Sequence, residues 1–288
     1  MKRLSCALCL SALSLLAQAE PPRIASLSWE PTEHLLALGI TPLAVADAAD
    51  YRSWVVRPRL PAQSAELGSR TEPNLEALAE LKPELILITP LLEDIRPNLE
   101  RIAPVISYGD FTQKQDNLAL QRQNFLDLGQ RLGLRAQAQH RLAQMDADVA
   151  TLRAQLDRHF AGQPPKVTVI RFASATQAYL FGPNSLPEHA LTLLGLKPAL
   201  QVPTSRWGSL QTPITALAGV GDGAVIYIEP FAQQSRLFSS TLWQAMPFVR
   251  NKRLVSMPPT WTHGGVLSVQ YLAEAITGAL LKLPPRKP

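Results

Sequence analysis

Arginine, tryptophan and histidine carry most of the chemistry open to this chain, and their positions already separate binding from catalysis. Arg70 lies in "GSRTEPNLEALAELKP", in the turn between a strand and a helix. A guanidinium there can present its fork of donors to ligand oxygens, or pair at the surface with Glu66 or Glu72. Trp29, Trp54, Trp207 and Trp261 fall in segments that follow strands, in "LSWEPT", "YRSWVVRP", "SRWGSL" and "PPTWTHGG". One such tryptophan caps a core as readily as it lines a site, but several from two halves of a chain favour an aromatic-walled cleft. Trp243, in "TLWQAMPF", fits helix packing instead.

Other chemistries find less support. The histidines, His34, His140, His159, His189 and His263, are scattered, and of these only His189 and His263 belong to segments near the expected cleft. A bare-metal site is not expected. Ser185, His189 and Asp222 make a hydrolytic triad on paper, but no G-x-S-x-G elbow is present, and "GVGDG" precedes a strand instead of following one. "FGPNSL" is a turn into a helix with Asn184 or Ser185 as the cap. The formal charge is +5 without a basic block or basic-aromatic repeat, which gives no basis for nucleic-acid binding. Both cysteines, Cys6 and Cys9, fall in "MKRLSCALCLSALSLLAQA", residues 1–19. That stretch has the basic start, short apolar run and Ala17-Gln18-Ala19 ending of a cleaved secretory signal, so the exported chain is expected to be free of thiols and soluble.

The elements that must position these residues follow from periodicity. Residues 23–110 alternate strand and helix: strands at Arg23–Ser28, Leu43–Ala46 and Leu85–Ile88, helices at Pro31–Leu38 and after Thr71, taken as a cap. From Asn117 the pattern turns helical, with one stripe to Leu132 and a second from Arg135 to Phe160. The second helix would run roughly 39 Å at about 1.5 Å per residue. Alternation then resumes, with strands at Val167–Phe172, Tyr179–Phe181, Ala224–Ile228 and Arg253–Met257. Helices are expected at Leu186–Leu194, Leu242–Val249 and Val266–Leu280. The expected fold class is α/β, with two α/β lobes joined by one long rigid helix. The lobes are placed at 20–114 and 163–288, with the helical linker at 115–162. The cleft between the lobes is the expected ligand site, because open α/β sheets bind at the carboxyl ends of their strands.

The stretches "WEPTEHLLALGITPLAVAD", "YRSWV", "GSRTEPNLEALAELKP", "RIAP", "FGPNSL", "RWGS", "LWQAMPFVR" and "LSVQYL" resemble the periplasmic ferric-hydroxamate-siderophore-binding proteins of bacterial ABC importers. The likeness covers nearly the whole exported chain. It implies a periplasmic protein, monomeric and without a cofactor, that carries an iron(III)-siderophore to an inner-membrane ABC permease and is not an enzyme. By the same resemblance Arg70 bonds the hydroxamate groups, while Trp207, Trp54 and Trp261 form aromatic walls. Glu76 matches an acid that docks on the permease. The corresponding acid position of the second lobe is Thr215, with Asp222 as a neighbouring substitute. Where the family has a ligand-bonding tyrosine, ungapped counting from Lys82-Pro83 reaches Leu92. Arg52, Arg57 and Arg206 neighbour the tryptophans and favour an anionic chelate. A haem or cobalamin carrier of the same fold, and a secreted α/β hydrolase, are the alternatives. Haem would call for an axial Tyr or His.

Overall fold

Leu85–Ile88 and Ala224–Ile228 are uninterrupted apolar runs, and each forms the inner part of a sheet covered on both faces. The computed structural model of the chain describes residues 22–109 and 116–285. The expected signal segment 1–19 and the 114/115 boundary lie outside these residues. The first sheet contains β1 (Ile24–Ser26), β2 (Ala44–Val45), β3 (Ala65–Glu66), β4 (Leu85–Ile88) and β5 (Val105–Ser107). It is wholly parallel, in the order β3-β2-β1-β4-β5. The second contains β6 (Val167–Phe172), β7 (Gln177–Phe181), β8 (Ser209–Pro213), β9 (Ala224–Ile228) and β10 (Leu254–Met257), in the order β10-β9-β6-β7-β8. Its β10, β9 and β6 are parallel, whereas β7 and β8 join antiparallel at one edge.

Between the sheets run a helix at Asn117–Arg131 and a longer one at Arg135–His159. The long helix buries Ala138, Leu142, Met145, Val149 and Leu156, a stripe at steps of three, four and seven. This stripe belongs to a single core cluster that takes in Ile24, Leu35 and Leu87 of the first lobe. The same cluster takes in Val169, Ile226 and Leu272 of the second. The two lobes therefore share one core through the helix that joins them.

Three local expectations change. Thr71 does not cap the helix after Arg70; Asn74 does, its side chain accepting from Ala77 N at 2.9 Å, and the helix is Leu75–Glu80. The expected helix 242–249 is two turns, Thr241–Gln244 and Pro247–Arg250. Met246 between them is extended, the conformation favoured before a proline. Tyr51–Val55, to which the sequence pattern assigns no helix or strand, is a single π-helical turn.

Candidate functional site

The carboxyl ends of the first sheet's strands and of β10 face one cleft of about 530 Å³, which the segment ahead of β8 also lines. From the first lobe, Ser28, Trp29 and Glu30 follow β1, Arg70 follows β3, Thr89, Pro90 and Leu91 follow β4, and Gly109 follows β5. From the second lobe come Arg206 and Trp207, ahead of β8, and Trp261 and His263, after β10. All-parallel connectivity in the first sheet puts these loops on one side, which is why residues from Ser28 to Gly109 meet there.

Arg70 is built into this wall. Its backbone N and side-chain Nε both donate to Asp47 Oδ2, at 3.1 and 2.9 Å. Asp47 itself holds a left-handed backbone conformation, φ 49°, at the end of β2. The guanidinium lies over the Trp29 ring, 3.4 Å from its centroid, and the indole Nε1 donates to Ala46 O at 3.2 Å. Neither Arg70 Nη forms a hydrogen bond with the described residues. The alternative surface pairing with Glu66 or Glu72 does not form, and Arg70 pairs with Asp47. Glu66 instead accepts from the backbone N–H groups of Ala49, Leu67 and Gly68.

The tryptophans separate into two groups. Trp207 is 50% exposed at the rim, with Arg206 over it at 5.5 Å. Trp261 packs edge-on against Trp29 across the lobes, with centroids 5.0 Å apart. Trp54, on the π-helical turn, does not line this cleft. It is 38% exposed and faces Arg171, whose guanidinium carbon is 5.0 Å from the Trp54 ring and 5.8 Å from Trp261. Trp243 is fully buried and stacks on Phe238 at 5.2 Å, the packing role read for it.

His263 lines the cleft as a fixed neutral ring. Nε2 donates to Trp207 O at 3.1 Å, and Nδ1 accepts from the Thr262 hydroxyl at 2.9 Å. Desolvation, and to a lesser extent the charge of Arg171, hold its pKa down to about 4. His189 lies outside the cleft lining, 3.6 Å from Asp116. His34 is fully buried at the interlobe seam and accepts from Val266 N at 3.1 Å.

Beside it, Glu33 Oε2 accepts from Gly265 N and the Ser268 hydroxyl, at 3.2 and 2.7 Å. Burial raises the Glu33 pKa to about 8. A Cβ on Gly265 would stand 2.6 Å from the His34 ring, so this seam requires glycine for close approach. Sequence reading marked "THGG" for its tryptophan neighbour and missed the seam, whose acid and histidine lie 232 residues from their partners.

The paper triad does not assemble. Ser185 Oγ accepts from Glu188 N as a helix cap, while Asp222 lies with Gly223 and Lys166 at the opposite, amino end of β6 and β9. No cluster of three or more His, Cys, Asp or Glu suited to a metal ion occurs among the described residues. Leu92 does not face the cleft either. It is 1% exposed in the core of the first lobe, and Leu91, 60% exposed, lines the wall in its place. Of the expected cations, Arg57 pairs with Glu274 and covers Tyr271, Arg52 donates to Pro61 O, and Arg206 alone reaches the cleft.

Residues 24–260 match the family model described as periplasmic binding protein. The chain belongs to that family. It is 34% identical over 266 residues to the iron(3+)-hydroxamate-binding protein FhuD of Escherichia coli K12, covering 92% of this chain and 88% of that one. It is 28% identical to the achromobactin-binding periplasmic protein of Dickeya dadantii, over 89% of this chain and 85% of that protein. The solved siderophore-binding protein FhuD of Vibrio cholerae, bound to Fe3+–Desferal, superposes with a TM-score of 0.89. That structure is 38% identical and is covered completely by 92% of this chain. The two-lobed architecture with its long helix is thus the FhuD-type fold, and the chain is a FhuD-like binding protein.

Proposed function

We propose that this periplasmic binding protein captures an iron(III)-siderophore of hydroxamate type and hands it unchanged to an inner-membrane ABC permease. One observation carries the reading. Arg70 is fixed by Asp47 and Trp29 with neither Nη hydrogen-bonded among the described residues, on the wall of a cleft whose other walls are Trp207 and Trp261. A ferric siderophore already wraps its metal in oxygen, so the receptor supplies aromatic surface and a few donors in place of metal ligands or a cofactor. Charge-assisted bonds from a planar fork suit hydroxamate oxygens. The identity to iron(3+)-hydroxamate-binding FhuD across most of both chains supports the same ligand class. The protein acts as an exported monomer, cleaved after Ala19, and performs no catalysis. A haem carrier is less well supported, because His263 has both ring nitrogens engaged and Tyr108 gives its hydroxyl to Asp127.

Protein isolated from the periplasm, its intact mass first read for cleavage after Ala19, is to be titrated with Fe3+–Desferal and separately with haem. Saturable quenching of tryptophan fluorescence by the ferric hydroxamate is expected, at an unchanged ligand mass. A shifted Soret band without response to any ferric siderophore would replace this reading with haem delivery.

A further inference from the structure

Arg171 projects from β6 toward the seam of the lobes, and the binding reading leaves it unused. One ring from each lobe faces it, Trp54 at 5.0 Å and Trp261 at 5.8 Å. Aromatic faces attract a cation, but they are poor acceptors for its N–H groups. Its Nη2 is buried without a hydrogen-bond partner among the described residues. No described carboxylate forms an ion pair with it, and partial burial already lowers its pKa. A guanidinium remains charged in proteins, so a desolvated one without a counter-ion calls for an anion.

The neighbouring cations do not share this state. Arg70 has Asp47 and Arg57 has Glu274. Arg206, at the rim over Trp207, and Arg52, which donates to Pro61 O, are without an ion pair among the described residues, but both are exposed to solvent. The acid on the cleft lining, Glu30, is engaged by Gln121 at 2.7 Å. Arg171 stands behind the cleft lining, next to Trp261, whose other neighbours, Trp29 and His263, are wall residues.

We propose that Arg171 reads a carboxylate, so that the cleft prefers a ferric chelate bearing a peripheral carboxylate over a neutral one. The inference rests on the siderophore-binding reading above and narrows its ligand class. A carboxylate accepts bidentate bonds from a guanidinium fork, which would give Nη2 the acceptor it lacks. Arg206 at the rim adds attraction for the approaching anion.

Acylating the terminal amine of Desferal gives a matched pair around one iron centre, N-acetyl (neutral) and N-succinyl (a free carboxylate). Both ferric complexes are titrated by tryptophan quenching into wild type, Arg171→Gln and Arg171→Lys. Wild type is expected to bind the N-succinyl complex about tenfold more tightly, the scale of one charge-assisted hydrogen bond. The ratio should fall to near one in Arg171→Gln and be kept in part by Arg171→Lys. Because two ligands are compared on one preparation, a partly unfolded variant lowers both amplitudes and leaves the ratio readable. Equal wild-type affinity for the pair, or a preference undiminished in Arg171→Gln, overturns the inference alone. Binding of neither complex overturns the siderophore reading as well.

Discussion

Arg70 shows what a single residue can reveal before its fold is known. A cation in a strand-to-helix turn marks a sheet's carboxyl edge, so its place on the cleft was legible in the sequence. Its partner was not. Asp47 lies 23 residues earlier and reaches Arg70 through a left-handed turn that no periodicity announces. Arg70→Ala should weaken binding of a ferric hydroxamate by about ten- to a hundredfold, or on the order of 1.5–3 kcal/mol, through lost charge-assisted bonds. Thermal unfolding should change little, since the side chain is partly exposed. Unchanged affinity by fluorescence titration would remove Arg70 from the site. The Leu92 assignment failed at the same scale for a physical reason. Counting residues from Lys82-Pro83 does not tell which way each side chain turns after β4, and Leu92 turns into the core while Leu91 lines the wall. Arg171 was equally invisible, because β6 is covered on both faces and only tertiary structure brings Trp54 to it.

At the scale of elements, long apolar runs were readable and short polar strands were not. Leu85–Ile88 and Ala224–Ile228 agree with the sequence to the residue, as burial on both faces demands. β3 has two residues and β8 reads Ser-Leu-Gln-Thr-Pro, so neither offers a hydrophobic pattern to detect. The first helix, Trp29–Ala37, carries a consequence in its buried Glu33 and His34. Glu33, raised to about 8, keeps in the folded state a proton that the unfolded chain loses above about 4.5, so stability falls as pH rises through that interval. His34, lowered to about 3, stays neutral where the unfolded chain takes a proton below about 6.5, so stability falls as pH drops through that interval. The two slopes oppose each other between about pH 4.5 and 6.5. Melting temperature should be nearly level there and decline on either side. Glu188, at about 7, adds to the alkaline decline only up to that pH. From pH 7 to 8 the decline is therefore mainly that of Glu33, on the order of 1 kcal/mol per pH unit and fading toward pH 8. Glu33→Gln should flatten it, and the same slope in the variant would show that another group titrates there.

Delivery to a permease, as proposed, requires the whole molecule to meet a membrane partner as well as a ligand. Glu76 is exposed on the helix that Arg70 precedes, and Thr215, its counterpart by family position, is exposed on the turn Ile214–Val220. If Glu76 docks on a permease arginine, Glu76→Arg should leave siderophore titration intact and slow iron uptake, since like charges would then meet. Wild-type uptake by cells carrying only the variant, at matched expression, would refute the docking role. The joining of two lobes by one helix was legible from the stripe along Arg135–His159. What the stripe did not disclose is that the core runs unbroken from Ile24 through Met145 to Leu272. That continuity divides the chain into two grades of mutational freedom. A cavity cut into the shared core costs about 2–5 kcal/mol and is felt by both lobes at once. Leu91, Arg206 and Trp207 stand outside it and are exposed, where a substitution typically shifts stability by about 0.5 kcal/mol or less. A lineage built on this scaffold can therefore exchange its cargo one rim residue at a time, without ever passing through a protein that fails to fold.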